Sequence, residues 1–284
     1  MSEQKVKDTY GGPRHKVEYD RLRAQHELVK AEMGGKLLLC PADLSRPDLR
    51  VLDSATAEGT WLVDLATTVP SSATLIGTDI SAQHFLPPAD RPANVELSLH
   101  SIFDTWPAHL QEYFDVAHQR FVLSVCPNDD AGVDAVKKLF ACVKPGGWIE
   151  LHEGDMQSIR EGPEHAAFTR FRDVMVRAWG AIGNRPRPAE HLVEWLQKAG
   201  AVDVQEHVQT IKVGAASEDR EQGQRAVDML LFLSDAMKKM LADKPGHPSA
   251  EEFDQLKVDL EKEMNTVGNV YHYRLAFGRK VSQK

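Results

Sequence analysis

The sequence predicts an α/β fold built on a doubly wound, mostly parallel sheet. Short apolar runs typical of strands recur along the chain, amphipathic stretches separate them, and two of the early strands end in an acid. This alternation is typical of a parallel sheet with helices on both faces. The predicted strands are 49–53, 74–78, 94–98, 115–120, 147–153, 202–210 and 269–277, and the predicted helices between them are 59–68, 130–143 and 188–199.

Three helical segments fall outside this alternation. Residues 16–33 place apolar side chains on one helical face, which predicts a cap helix ahead of the sheet. Helical blocks at about 157–182 and 219–265 are predicted insertions, and the second is rich in methionine. We therefore expect a cap segment at 1–35 and one domain at 36–284 whose inserted helices form a lid.

Composition narrows the classes of function. The chain has 284 residues, 42% of them hydrophobic, and its net charge of −8 at pH 7 disfavours a nucleic-acid partner. Its apolar runs are too short to cross a membrane, so no membrane partner is expected. Three widely spaced cysteines and no zinc-type spacing predict reduced thiols, no metal and a cytoplasmic location, with a nuclear one left open. We expect a monomer or a homodimer.

The loop after the first strand predicts the ligand. Residues 53–59 read Asp-Ser-Ala-Thr-Ala-Glu-Gly, a turn of small residues that lets the backbone approach a ligand closely. Asp79, which ends the next strand, can bind both hydroxyls of a ribose. A loop with one glycine is a poor phosphate cradle. Its acids, Asp53 and Glu58, better suit a ligand with a cationic amino group, and S-adenosylmethionine (SAM) is such a ligand.

Two motifs resemble the class I SAM-dependent methyltransferases. Asp53-x-Ala55-x-Ala57-x-Gly59 resembles their D-x-G-x-G-x-G loop, and residues 144–148, Lys-Pro-Gly-Gly-Trp, resemble the turn before their fifth strand. The resemblance implies a Rossmann-like, seven-stranded, mostly parallel sheet with an antiparallel last strand, and SAM as the cofactor.

The chain more narrowly resembles the fungal LaeA-like (UMTA-type) methyltransferases of secondary metabolism. This likeness covers roughly residues 10–155 well and the remainder in outline. The motifs that carry it are Glu18-x-x-Arg21-Leu22-x-x-Gln25-His26, Gly59-x-Trp61-x-x-Asp64-Leu65-Ala66 and Phe114-Asp115-x-x-His118-Gln119-Arg120.

The resemblance also implies a set of cofactor-binding positions. These are Tyr10, Asp53, Ser54, Ala55, Gly59, Trp61, Asp79, Ile80, Ser101, Ile102, His118 and Gln119. Tyr10 is expected to close over the cofactor, and Ser101 stands where the family has an acid that contacts adenine. Ala55 and Ala57 replace two family glycines, so they must adopt ordinary dihedral angles or bear strain.

His118 and Arg120 are the predicted catalytic residues, because both stand at the carboxyl end of the fourth strand. His118 can act as a general base near neutral pH or pack under the methionine part of SAM, and both roles stay open. Arg120 can orient an acidic substrate or pair with a nearby carboxylate. Methyl transfer needs a base only if the acceptor arrives protonated, since most of the acceleration comes from positioning.

The predicted reaction is methyl transfer to a thiol or hydroxyl of a small hydrophobic secondary metabolite, with a nitrogen acceptor as a third possibility. Predicted substrate-binding residues are Glu153, Met229, Phe232 and Tyr271. The alternative is a SAM-binding regulatory protein that acts through protein partners. A nicotinamide dehydrogenase is disfavoured because the chain has Asp53 but no G-x-G-x-x-G loop.

Overall fold

The computed structural model describes residues 16–181, 183, 187–241 and 248–281. Its seven strands form one sheet in the order β3-β2-β1-β4-β5-β7-β6. Strands β1 to β5 run parallel, and β7 lies antiparallel between β5 and β6. The strands are β1 (Arg50–Ser54), β2 (Thr74–Asp79), β3 (Val95–Leu99), β4 (Phe114–Arg120), β5 (Val143–Asp155), β6 (Val202–Val213) and β7 (Asn269–Arg279). The predicted fold class is confirmed.

Seven α-helices accompany the sheet in the described residues. They are α1 (Lys16–Glu32), α2 (Thr60–Leu65), α3 (Asp129–Ala141), α4 (Ala166–Ala181), α5 (Leu192–Lys198), α6 (Arg220–Leu241) and α7 (Ala250–Thr266). Helices α3 and α5 contribute to one hydrophobic core, while α1, α2, α4, α6 and α7 contribute to the other. None of these helices is long and apolar enough to cross a membrane.

Several predicted elements differ in length from the observed ones, and two of these differences have a visible structural reason. Helix α2 ends at Leu65 instead of 68, because the hydroxyls of Thr67 and Thr68 cap the carbonyls of Asp64 and Leu65. Strand β5 continues to Asp155, because β7 pairs with it along its whole outer half. The proposed division into 1–35 and 36–284 stays a prediction.

Candidate active site

The loop that follows β1 bears backbone strain. Ala55 and Ala57 have φ angles of 59° and 55°, the left-handed region that glycine occupies more cheaply. Two hydrogen bonds hold the strained turn. Asp53 accepts from the Thr56 hydroxyl at 2.6 Å, and the Ala57 amide donates to Asp79 Oδ2 at 2.9 Å. These bonds hold the loop in this conformation although alanines replace the two family glycines.

Replacing Ala55 with glycine is expected to stabilise the protein by up to about 1.5 kcal/mol. Relief of left-handed strain gives about 1–2 kcal/mol, and the lost chain entropy of glycine opposes it by about 0.5–1 kcal/mol. The matched control is Ala66→Gly at a right-handed helix end, where only the entropic cost applies and destabilisation is expected. Thermal unfolding of both variants is the measurement. Equal destabilisation of the two would contradict the assignment of strain.

His118 lies beneath this loop. Its Nδ1 is 2.7 Å from Asp53 Oδ1, and its ring stacks on Trp61 with centroids 3.9 Å apart and planes only 5° from parallel. The imidazole is 2% exposed and is not among the side chains that line the large cavity described below. This position fits a group that orients Asp53 better than a base that reaches a substrate.

Helix α1 is tied to the loop and to β4 by polar side chains. Arg23 binds Glu58 through two nitrogens, one of them at 2.6 Å. Glu58 lines the cavity, but both of its oxygens are already paired with Arg23, which weakens its expected attraction for a cationic ligand. His26 joins Asp64 at 2.9 Å on one ring nitrogen and Arg120 at 3.0 Å on the other.

One large cavity, of about 790 Å³, opens at the carboxyl ends of the parallel strands. That is where ligands bind in open α/β sheets. The volume lies in the range of sites for small molecules and cofactors. Eleven of the predicted site residues line it: Asp53, Ala55, Trp61, Asp79, Ile80, Ser101, Ile102, Arg120, Glu153, Met229 and Tyr271.

The other predicted residues do not line this cavity. Ser54, Gly59, His118, Gln119 and Phe232 are not part of its wall, and Tyr10 lies outside the described residues. Ser54 and Gln119 face each other in register on β1 and β4 and are buried in the sheet. Phe232 sits just outside the arc of α6 that faces the cavity, so its position does not support the substrate role predicted for it.

Sequence reasoning missed several residues of the cavity wall. His100 lines it beside Ser101, with a buried Nε2 that has no partner among the described residues. Burial lowers the pKa of His100, so its neutral form is favoured. Further wall residues are Arg21, Gln25, Met175, Trp179, Met237 and Tyr273. Gln25 and Arg21 belong to the helix motif noted above, which was the available signal.

The wall fits the parts of SAM. Asp79 presents a carboxylate for a ribose at the end of β2, and Ser101 and Ile102 follow β3 where an adenine is expected. The unpartnered His100 nitrogen is available for one further polar contact in the same part of the cavity. Within the described residues, no group of three His, Cys, Asp or Glu side chains could hold a metal ion.

Comparison with known proteins settles the class of enzyme. The chain matches the methyltransferase domain family over residues 23–206. It belongs to this family. N-methyltransferase tcpN of Claviceps purpurea is 49% identical over 97% of this chain and 98% of its own length. N-methyltransferase gliN of Aspergillus fumigatus is 35% identical over 92% of each chain, and N-methyltransferase sirN of Leptosphaeria maculans is 36% identical over 93% and 92%.

A solved structure shares the fold of this methyltransferase. Phosphoethanolamine N-methyltransferase 2 of Haemonchus contortus, in complex with SAM, superposes with a TM-score of 0.51 at 12% identity. The match covers 93% of this chain, which spans only 53% of that structure's length. This solved structure shows the fold alone, whereas the family match and the fungal relatives make the chain a class I SAM-dependent methyltransferase, with SAM as its cofactor. The narrower LaeA-like grouping stays a prediction.

A His118→Ala variant is expected to bind S-adenosylhomocysteine about tenfold more weakly. Asp53 loses a charge-assisted hydrogen bond, and about 1.4 kcal/mol corresponds to a factor of ten. His118→Asn, whose amide can still donate to Asp53, serves as the control and should retain most of the affinity. Calorimetry measures both variants. Loss of turnover with unchanged cofactor affinity would instead support the base role.

Proposed function

We propose that this methyltransferase transfers the methyl group of SAM to a nitrogen of a small, largely apolar molecule. The observation that carries the proposal is the 49% identity, over nearly both whole chains, to a protein named N-methyltransferase. Two further relatives at 35% and 36% identity bear the same name. These names favour nitrogen over the thiol or hydroxyl acceptor predicted from the sequence.

The wall of the cavity supports an apolar acceptor. Helices α4 and α6 contribute Met175, Trp179, Met229 and Met237 to it. Methionine side chains adapt to irregular apolar ligands. A fungal secondary metabolite fits this environment, as the LaeA-like resemblance and the fungal relatives suggest.

A few polar groups interrupt the apolar wall. The hydroxyls of Tyr271 and Tyr273 lie 3.1 Å apart, and Gln25 Nε2 donates to Tyr273 at 3.4 Å. Apolar sites with a few convergent polar groups are typical of small-molecule recognition. Burial raises the pKa of both tyrosines, so they stay protonated and available to donate a hydrogen bond.

The acceptor atom can be tested with matched probes. We would measure transfer of radiolabelled methyl to 2-phenylethylamine, N-(2-phenylethyl)acetamide, 2-phenylethanethiol and 4-ethylphenol, which share an apolar body and differ in the acceptor. The proposal predicts at least tenfold faster transfer to a nitrogen compound than to the thiol or phenol. Faster transfer to sulfur or oxygen would overturn it.

A further inference from the structure

Glu153 contributes a buried carboxylate to the cavity wall. Binding of the cofactor does not explain the role of this carboxylate. It lies near the end of β5 and is 3% exposed. Its Oε1 accepts hydrogen bonds from the amides of Val122 at 2.9 Å and Leu123 at 2.8 Å, just beyond β4. Neither bond involves Oε2, and no described residue donates to that atom. One oxygen thus anchors the side chain while the other is available to a molecule in the cavity.

The groups around Glu153 leave it without a cationic partner. Arg274 stands opposite it in register on β7, but the Arg274 guanidinium pairs with Asp155 at 2.7 Å. Arg120 on β4 bonds to His26 instead. Burial, with a smaller contribution from Glu153, raises the pKa of the nearby Cys126 thiol to about 12, so that thiol is neutral.

Burial also shifts the pH range in which Glu153 loses its proton. It raises the pKa of this carboxyl to about 7, and the two backbone hydrogen bonds limit the rise. A carboxyl that changes charge near neutral pH is matched to proton transfer at the working pH of the cell. Buried acids with shifted pKa values inside a cleft are candidates for such work.

We propose that Oε2 of Glu153 is the general base that takes the proton from the acceptor nitrogen. This inference rests on the proposed function. The nitrogen lone pair forms the new N–C bond while the C–S bond breaks and its electron pair stays on sulfur. The N–H proton passes to Oε2 and later leaves for solvent. The sulfonium becomes a neutral thioether and the carboxylate becomes a neutral carboxylic acid, so atoms and charge are balanced.

The test compares two nitrogen acceptors that differ in the need for a base. 2-Phenylethylamine must lose a proton to be methylated, whereas isoquinoline offers a nitrogen lone pair and has no proton to lose. The variant is Glu153→Gln, whose amide oxygen can still accept from Val122 and Leu123. General base catalysis contributes roughly 10²–10⁴-fold. We expect transfer to the amine to fall at least 100-fold in the variant, and transfer to isoquinoline to change less than threefold.

The pH profile gives a second readout that a structural role would not move. In the wild type, kcat/KM for the amine should rise and then level off near pH 7 as Glu153 loses its proton. In Glu153→Gln this break near pH 7 should vanish, which leaves only the pH dependence from the ionisation of the amine itself. Equal losses on both acceptors, or no loss on either, would overturn the base role alone. No transfer to either nitrogen by the wild type would overturn the proposed function, and the base role with it.

Discussion

Replacing Arg120 with glutamine is expected to weaken binding of S-adenosylhomocysteine by about 10- to 100-fold, because hydrogen bonds to charged groups contribute about 1.5–3 kcal/mol. Arg120 lines the cavity, and its one hydrogen bond to a described residue goes to His26. Burial and the nearby Arg120 charge lower the pKa of His26, so this partner is neutral. The guanidinium is half-buried and has no carboxylate hydrogen-bonded to it among the described residues, and the carboxylate of the cofactor's amino acid would supply one.

5′-Methylthioadenosine, which lacks the amino acid, is the matched ligand for this prediction. Its affinity should be the same for the wild type and Arg120→Gln, within about twofold. Arg120→Lys should recover part of the affinity for S-adenosylhomocysteine, since it keeps the charge and loses the fork of donors. Calorimetric titration measures all six pairs. An equal loss of affinity for both ligands would show that Arg120 shapes the cavity and does not bind a carboxylate.

A Gly268→Ala variant is expected to lose about 1–4.5 kcal/mol of unfolding free energy, because left-handed strain and overpacking outweigh the entropic gain of about 0.5–1 kcal/mol from replacing glycine. Gly268 connects α7 to β7 with φ of +72°, and an added Cβ would lie 2.1 Å from the Ala216 nitrogen and 2.7 Å from the Val213 oxygen. Both atoms belong to the backbone, so neither can rotate away. The turn before α6 would have to shift, and the helices that wall the cavity with it.

Gly34→Ala is the control for this second prediction. Gly34 has a similar φ of +63°, but nothing lies within 4 Å of the position of its added Cβ. Steric contact is absent there, and the entropic gain from replacing glycine offsets part of the strain, so a loss of about 0–1.5 kcal/mol is expected. Denaturant unfolding measures both variants. Equal losses would mean that steric contact at Gly268 adds nothing.

Most of the fold could be predicted because its signals are local. Apolar runs bounded by turns located all seven strands, helical periodicity located α1 closely, and the predicted blocks at 157–182 and 219–265 contain α4 and the pair α6 and α7. The lengths of β5 and β6 could not be predicted, because they depend on pairing with β7 far away in the chain. The end of α2 depended on two threonine side chains whose hydrogen bonds no periodicity reveals.

The site was predicted less completely, because contacts between distant elements decide which side chains reach it. His118 and Arg120 stand two residues apart on β4. Stacking on Trp61 keeps His118 out of the cavity wall, whereas Arg120 lines it. Pairing of Glu58 with Arg23 on α1 likewise offsets a charge that the loop alone suggested for a ligand. The sequence does not show that the Nε2 atom of His100 is buried and has no hydrogen-bond partner; only the structure does.

The identity of the acceptor atom tests the central claim most directly. We would incubate the protein with SAM carrying a ¹³C methyl group and two probes that each offer a choice, tyramine and 4-(2-aminoethyl)benzenethiol. The carbon chemical shift of the transferred methyl group reports the atom to which it is bound. The account predicts N-methyl products from both probes. A methyl group on the phenol oxygen or on the thiol sulfur would contradict it.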